Sequence, residues 1–262
     1  MCRLLGVTRS LVYYEPKERV IDIEAENAVI EEFKSNRSVY GTRKLKQALT
    51  RRENPIILSR RRIGSIMRKY DLVSKYTLKQ KKRSTKEPVN EDSVSNIVNR
   101  EFDREKPLEV VCSDLTYVQV GGKWHYICLL LDLANREIIG SAAGRNKDAQ
   151  IVRKAFYRVD VDLRSIDYFH TDRGNEFKNE IIESILTAFG ITRSLSAKGT
   201  PLDNAVMESM YNVLKIEMIY GEKFDTLEEL DLALFEYVNW YNSIRLHGSL
   251  GYVPPKEAKL IK

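Results

Sequence analysis

Three acidic residues stand at positions from which they could catalyse a reaction. Asp114 lies in the middle of the apolar run 108–120, Asp172 follows the apolar run 166–169, and Glu208 lies on a predicted helix. An ionised aspartate inside a β-branched run is costly without a partner. Two aspartates and one glutamate form the all-oxygen ligand set that suits Mg²⁺ or Mn²⁺. Two such ions could share the three carboxylates and support an in-line displacement at phosphorus by activating a water or hydroxyl and stabilising the leaving oxygen.

The elements around these residues can be predicted from local patterns. The apolar run 166–169 predicts a short buried strand that delivers Asp172 to a turn with Gly174. A loop at 198–201 leads to Asp203, a favourable N-cap for the next helix. Polar residues of that helix follow one another at offsets of 4, 3 and 4, which match its 3.6-residue period. Four side chains therefore share one face: Asn204, Glu208, Tyr211 and Lys215.

The order of elements after residue 107 predicts an α/β fold. Strands are expected at 108–120, 124–132 and 137–143, followed by helix 148–159, strand 166–170, helix 177–189, strand 191–195 and the helix after Asp203. This order is typical of the ribonuclease-H-like fold, a mixed five-stranded sheet with flanking helices. Asp114 and Asp172 become neighbours if the first and fourth strands pair in parallel, and Glu208 can then complete a triad. A long helix is predicted at 226–244, and Pro254 with Pro255 is expected to end regular structure.

The first part of the chain has the charge of a nucleic-acid-binding region. Residues 34–83 contain 17 basic and two acidic residues, in a chain with a net charge of +6. Such a block gains affinity for DNA by neutralising phosphates and releasing counterions. A solvated basic face is the alternative. Helices predicted at 22–35, 42–52 and from Ser59 to about residue 70 suggest a small all-α, helix-turn-helix-like region.

We therefore expect three parts in the chain: a helical DNA-binding region at 1–73, a basic linker at 74–107 and a catalytic core with a C-terminal helix at 108–262. Arginines at the first turn of the third helix oppose the helix dipole, which favours an orientation toward phosphates. Eight basic residues are candidates for DNA contact in these first two parts: Arg43, Lys44, Arg60, Arg61, Arg62, Lys81, Lys82 and Arg83.

Several motifs resemble one known family. Thirty-five residues separate Asp172 from Glu208, and Lys215 follows seven positions after the glutamate. Further matches are His170-x-Asp172-x-Gly174-x-x-Phe177, the run Lys198-Gly199 with Asp203-Asn204-Ala205, and Tyr241-Asn242-x-x-Arg245-x-His247-x-x-Leu250. At these residues, which span about 40–258, the chain resembles the DDE transposases of the retroviral-integrase superfamily. It is most similar to the second reading frame of the insertion-sequence-three group.

The resemblance implies a DNA transposase, a polynucleotidyl transferase that cleaves a strand at its 3′ end and joins it to target DNA, so that an insertion sequence moves. Asp114, Asp172 and Glu208 would be the catalytic and metal-binding residues, with two Mg²⁺ or Mn²⁺ ions. Lys215 would hold a phosphate, and Asn204 would orient a substrate oxygen or a carboxylate. The implied partners are double-stranded DNA at the element ends and target, further copies of the chain on that DNA, and an upstream-frame helix-turn-helix protein or fusion.

Other interpretations stay open at this point. A nuclease on the same fold, or a DNA-binding or assembly factor without catalysis, would carry the same carboxylates. His170 is expected to brace a strand end, and Arg245 and His247 have either a structural role or a DNA contact. Cys112 and Cys128 are expected to be buried in strands, and the three histidines show no zinc spacing. Because no membrane span or signal peptide is evident, we expect a cytoplasmic bacterial protein associated with the nucleoid.

Overall fold

The computed structural model describes residues 6, 8, 22–77, 96–98, 101–102, 104–196 and 204–261. Its first elements are three helices, α1 (Ile23–Ser35), α2 (Thr42–Thr50) and α3 (Arg60–Lys69). The side chains of Asp22 and Ser59 cap α1 and α3 by accepting hydrogen bonds from the backbone N–H groups of Ala25 and Arg62. The predicted small all-α region is confirmed. Lys81, Lys82, Arg83 and the loop with Asp203 lie outside the described residues.

A five-stranded sheet forms the centre of the second part. Its strands are β1 (Val110–Val120), β2 (Lys123–Asp132), β3 (Ile138–Gly144), β4 (Tyr168–Thr171) and β5 (Thr192–Leu195), in the order β3-β2-β1-β4-β5. The first three strands form an antiparallel meander, whereas β4 runs parallel to β1 and β5 runs parallel to β4. Gly121 and Gly122 make the tight β1–β2 turn with φ angles of 53° and 77°. The predicted mixed sheet is confirmed.

Helices cover both faces of this sheet. The longer ones are α4 (Ala149–Tyr157), α5 (Glu180–Phe189), α6 (Ala205–Leu214) and α7 (Leu227–Ser243). Successive side chains of a strand face opposite sides. Val111 and Cys128 therefore pack with α4 and α5, whereas Cys112 and Leu129 pack with α6 and α7. Both cysteines are free and buried, as predicted.

The helical region shares a hydrophobic core with the α6 and α7 side of the sheet. Phe33, Leu45 and Ile63 belong to the same buried cluster as Leu214 and Tyr237. Polar contacts cross the same boundary. The backbone N–H of Leu246 donates to the Tyr40 hydroxyl at 2.7 Å. Within the helical region itself, the hydroxyl of Ser74, the first residue of the predicted linker, donates to the carbonyl of Val39 at 2.8 Å. The first residues of the predicted linker are thus packed within the helical region.

The C-terminal segment departs from the prediction. Pro254 and Pro255 do not end regular structure, because helix α8 spans Pro255–Ile261. Proline suits the first position of a helix, where its fixed φ is favourable and no N–H group is needed. A π-helix at Lys215–Ile219 also continues directly from α6. Within the described ranges, no helix combines the length and the apolar character that crossing a lipid bilayer requires.

Candidate active site

The neighbouring parallel strands β1 and β4 bring Asp114 and Asp172 close together. In the parallel pairing of β1 with β4, Cys112 is opposite His170. The two aspartates each come two residues later, and the negative charge of Asp172 acts on the Asp114 carboxyl group, so the two side chains lie near each other. Asp114 is still within β1, and Asp172 directly follows the last residue of β4. Parallel pairing therefore brings together the two aspartates that were predicted to be neighbours.

The electrostatics of this pair are unfavourable without a cation. Burial of the side chain, together with the negative charge of Asp172, raises the pKa of Asp114 to about 7. The Lys147 ammonium acts in the opposite direction but does not outweigh these two effects. Two carboxylates that share one site do not both ionise readily unless positive charge is added. A divalent cation with a preference for oxygen ligands would supply that charge.

Short backbone contacts fix the orientation of both aspartates. The backbone N–H of Leu115 donates to Asp114 Oδ1 at 2.7 Å, and that of Gly174 donates to Asp172 Oδ1 at 2.9 Å. Gly174 also makes room for its neighbour, because a β-carbon there would lie 2.5 Å from the Glu176 carboxylate. Any larger residue at this position would push the Glu176 carboxylate aside.

Glu176 is a site residue that the sequence analysis missed. It is buried, and its Oε1 lies 3.2 Å from the Lys147 ammonium. Burial raises the pKa of Glu176, and the charge of Asp172 adds to the increase, while Lys147 opposes it. A glutamate in a polar turn gives no signal of burial. The one available hint is its position between Gly174, which leaves space for it, and the apolar Phe177.

Helix α6 contacts the pair through Tyr211. The Tyr211 hydroxyl donates to the backbone carbonyl of Asp114 and accepts from the N–H of Leu129 at 3.1 Å. Glu208, one turn earlier, has an exposed side chain. In the described part of the chain, no three histidine, cysteine, aspartate or glutamate side chains are grouped so that they could hold a metal ion. The structure therefore places Glu208 on the adjoining helix without bringing it into one group with the two aspartates.

The other two polar residues of the predicted helix face, Asn204 and Lys215, lie at the two ends of α6. Lys215, at the C-terminal end, is half-buried with its ammonium 5.0 Å from the centre of the Tyr117 ring. Burial lowers the pKa of Lys215, and the negative charge of Asp114 acts in the opposite direction. Asn204 is half-buried at the N-cap, and its side-chain oxygen has no hydrogen-bond partner among the described residues. Lys215 is thus within electrostatic reach of Asp114.

His170, Arg245 and His247, for which a structural role was one prediction, are buried or partly buried. His170 lies between two hydroxyls of the β5 segment, with Nδ1 2.9 Å from Ser194 Oγ and Nε2 3.2 Å from Ser196 Oγ. The Arg245 guanidinium binds both carboxylate oxygens of Glu217 through bonds of 2.8–3.0 Å. Arg245 also donates to His247 Nε2 at 2.8 Å.

The predicted DNA-contact residues of the helical region divide into two groups. Arg43, Arg60 and Arg61 have exposed side chains. Arg62 and Lys44 instead have contacts within the protein. The guanidinium of Arg62 lies 3.8 Å from the Glu26 carboxylate, and the ammonium of Lys44 lies 5.2 Å from the centre of the Tyr40 ring.

Family models match most of the chain. An HTH-like domain matches residues 21–81, and two integrase core domain models match residues 104–201 and 208–257. A chain of the simian T-cell lymphotropic virus intasome, solved by cryo-electron microscopy in complex with PP2A regulatory subunit B56 gamma, aligns with a TM-score of 0.51. That alignment covers 88% of this chain and 73% of the viral chain at 10% identity, so it supports the fold alone. The fold and the matches define an integrase-core protein with a helix-turn-helix-like region.

Relatives from insertion sequences make the assignment narrower. The insertion element IS600 uncharacterized 31 kDa protein of Shigella sonnei is 31% identical over 271 residues, which cover 97% of this chain and 96% of that protein. Transposase InsF for insertion sequence IS3A of Escherichia coli (strain K12) is 27% identical over 272 residues, or 98% and 92% of the two chains. The chain belongs to the insertion-sequence-three family of transposases, as the sequence motifs predicted.

Proposed function

We propose that this transposase cleaves DNA strands and transfers their ends by metal-dependent phosphoryl transfer, with Asp114, Asp172 and Glu208 as catalytic residues. The observation that supports this most directly is the pair of aspartates on adjacent parallel strands of an integrase core. Their mutual repulsion and their oxygen ligands suit a divalent cation. Glu208 would join them through a shift at the start of α6, which would bring its exposed carboxylate toward the sheet.

The carboxylate oxygens of these side chains are ligands that suit Mg²⁺ or Mn²⁺. Asp114 and Asp172, with Glu208 as a third ligand, would hold two ions. When bound, such ions lower the pKa of a water or terminal hydroxyl and stabilise the leaving oxygen at phosphorus. Tyr211 holds α6 against the backbone of Asp114, which keeps the helix of Glu208 next to the aspartates.

Two further residues of α6 would position the DNA. The Lys215 ammonium, within electrostatic reach of Asp114, would hold a phosphate beside the carboxylates. The Asn204 amide, whose buried oxygen has no hydrogen-bond partner within the described part of the chain, would orient a substrate group or the Glu208 carboxylate. Both residues supply binding interactions, and the proposal assigns neither of them a covalent step.

The helical region would hold the DNA. Arg43, Arg60 and Arg61 are exposed on α2 and α3, and the block 34–83 carries 17 basic residues against two acidic ones. Binding through phosphate contacts should weaken steeply with added salt. Double-stranded element ends and target DNA are the proposed partners, together with further copies of this chain. An upstream-frame helix-turn-helix protein, or a fusion with one, would assist in recognising the ends.

A strand-cleavage assay tests this proposal. Labelled DNA containing the flanking ends of the element is incubated with wild type, with Glu208→Gln or with Glu236→Gln, in the presence of Mn²⁺ or EDTA. Glu236 is a matched control because its carboxylate is also exposed on a helix of the same domain. Wild type and Glu236→Gln are expected to nick the DNA and join strands only with Mn²⁺, whereas Glu208→Gln gives no products.

Different results would favour the other interpretations. Nicking without strand joining by wild type would indicate a nuclease. Equal activity of Glu208→Gln and wild type would remove Glu208 from the catalytic set. DNA binding without any product would favour an assembly factor, and the assay would then be repeated with an added upstream helix-turn-helix partner before catalysis is rejected.

A further inference from the structure

Two exposed aromatic rings lie beside the active site on the β1–β2 hairpin. Tyr117 and Trp124 have exposed fractions of 43% and 52%. Their ring centres are 5.1 Å apart, and the planes of the rings meet at 88°. The two residues are diagonal neighbours on one face of the sheet, because Trp124 is opposite Gln119, two positions after Tyr117. The rings therefore form a corner with two aromatic walls that is accessible from solvent.

This aromatic corner is close to a proposed catalytic residue. Tyr117 comes three positions after Asp114 on β1, which corresponds to about 10 Å along the strand. The Lys215 ammonium lies 5.0 Å from the centre of the Tyr117 ring, and the negative charge of Asp114 acts on it. One lysine thus contacts the aromatic corner and interacts electrostatically with the aspartate.

The edge of β1 between these groups is not paired with another strand in the described part of the chain. β4 pairs with β1 only at Val110–Cys112, and the next backbone pairing along that edge is the bridge between Val120 and Phe224. Lys215 continues from α6 on one side of the sheet, whereas Tyr117 faces the other side. The lysine therefore reaches across the open edge, where a DNA strand can pass from the aspartates to the aromatic corner.

An aromatic surface beside an ammonium group matches the two parts of a nucleotide. Bases of any sequence stack on aromatic rings, and phosphates bind cationic side chains. A diagonal aromatic pair also stabilises a hairpin, which explains the contact between Tyr117 and Trp124. Hairpin stability does not require Lys215, however, because this residue comes from another element. The presence of all three together favours a base on the rings and a phosphate at the lysine.

The cavity next to the β1–β2 turn is less suitable for the phosphate. Trp124 lines this cavity, which has a volume of about 560 Å³. The charged residues of its lining are Lys123, Arg145, Asp225 and Glu228. The two acidic side chains offset the two basic ones, so this cavity offers a phosphate no excess of positive charge. The phosphate is therefore assigned to the lysine that continues from α6.

Resting on the proposed function, we infer that Tyr117 and Trp124 stack one unpaired base of the DNA strand whose phosphate lies at Lys215. Stacking on ring faces tolerates every base, so the site would fix the position of the strand without reading its sequence. Holding the base in the corner would keep the adjoining phosphate in register with Asp114. The cost of unpairing is lowest for a base that is already single-stranded.

Binding measurements in EDTA test this site separately from catalysis. Two labelled duplexes are compared by fluorescence anisotropy, and each carries a short single-stranded 3′ overhang of either thymidines or abasic units. Wild type is expected to bind the thymidine overhang at least about fivefold more tightly, as base stacking on aromatic rings allows. Trp124→Ala and Tyr117→Ala should each reduce this preference, whereas Trp124→Phe keeps an aromatic ring and should retain most of it.

Tyr157 provides a matched control for the loss of a surface ring. It is exposed on α4, and the Arg153 guanidinium lies 5.7 Å from the centre of its ring. It thus combines an exposed ring with a cation, as Tyr117 does, but on another element. Tyr157→Ala should keep the full preference for the thymidine overhang. Unfolding temperatures establish that each variant is folded.

The fluorescence of Trp124 reports stacking directly. The chain contains two tryptophans, and the other one, Trp240, is buried with an indole N–H that has no hydrogen-bond partner among the described residues. Trp240→Phe keeps a buried aromatic ring there and leaves Trp124 as the single tryptophan. In this variant the thymidine overhang should quench the tryptophan emission, and the abasic overhang should leave it unchanged.

Three results would overturn the inference. In the first, the two overhangs bind equally and neither quenches Trp124. In the second, the preference survives both alanine substitutions, which would place the base elsewhere. In the third, Trp124→Ala changes the oligomeric state in sedimentation without DNA, which would assign the rings to a contact between copies of this chain. Strand cleavage with no preference would remove the stacking site alone, and a preference with no cleavage would remove the catalytic proposal alone.

Discussion

Two groups of charged side chains in this protein differ in how their charges are balanced. Glu217 and Arg245 are almost fully buried, and each has its opposite charge within 3.0 Å. Asp114 and Asp172 have the same charge, and the pKa of Asp114 is raised to about 7 by burial and by that neighbour. In the first group, the negative charge and the positive charge balance each other within the folded chain. The second is stable as a charged pair only when a cation joins it.

This difference in charge balance indicates a structural role for Glu217 and Arg245 and a binding role for the two aspartates. Glu217 is joined by hydroxyls from both parts of the chain, Tyr76 near the helical region and Tyr237 on α7. That network holds the helical region against the core. Strongly perturbed carboxylates with an unbalanced neighbour are instead typical of functional sites. We therefore expect substitutions in the two groups to have opposite effects on stability and activity.

The largest expected effect is on catalysis. Asp172→Asn removes a proposed metal ligand and should lower the rate of strand cleavage by roughly a thousandfold or more, equivalent to about 4 kcal/mol of activation free energy. The same substitution relieves the repulsion on Asp114, so the free energy of unfolding without metal should not decrease. Cleavage rates and urea unfolding in EDTA measure both quantities. A large loss of stability with activity retained would reverse the assignment.

Arg245→Met should instead lower the stability of the folded protein. It leaves the buried Glu217 carboxylate without its ion pair, and breaking such a pair costs about 3–5 kcal/mol of unfolding free energy. Urea unfolding of Arg245→Met, Glu217→Gln and the double variant measures this cost. Because the two residues interact, the double variant should be less destabilised than the sum of the single variants. Additive losses would show that the pair is not coupled.

The pH dependence of stability gives a smaller effect. The folded pKa of Asp114 lies near 7, above the usual value near 3.8, so the folded chain keeps a proton that the unfolded chain loses between about pH 4 and pH 7. This group therefore lowers the free energy of unfolding as pH rises through that window. Asp114→Asn removes this contribution, and its gain over wild type at about pH 7.5 should be on the order of 2–3 kcal/mol larger than at about pH 5. An equal difference at both pH values would contradict the raised pKa.

Tyr76→Phe should have the smallest effect. It removes one hydrogen bond to Glu217 and leaves the ion pair with Arg245 in place, so we expect a loss of about 1 kcal/mol. Strand cleavage by the folded variant should be unchanged, since this network lies outside the aspartate pair. Urea unfolding and the cleavage assay together test the prediction, and a strong loss of activity would link the two groups.

The sequence predicted elements that depend on local patterns and on family motifs. Asp114 could be placed beside Asp172 because an aspartate within an apolar run and an aspartate just after one need only a parallel pairing to meet. Local pattern does not predict helix α8, because Pro255 indicates an end of regular structure unless it occupies the first helical position, as it does here.

Other contacts between distant parts of the chain could not be predicted. Tyr76 and Glu217 are 141 positions apart, and nothing in either local pattern indicates the other. Glu176 was missed for a related reason, since its burial depends on Lys147 in another loop and on the space left by Gly174. The position of Glu208 relative to the aspartates depends on how α6 begins, which the family spacing does not determine.

The proposal that the aspartate pair holds a divalent cation is tested most directly by Mn²⁺ titration of the unfolding temperature at neutral pH. Wild type and Glu236→Gln should both become more stable as Mn²⁺ is added, because an ion that binds the folded state alone stabilises it. Asp172→Asn should show little or no increase. An equal increase in all three proteins would contradict a metal site at Asp114 and Asp172.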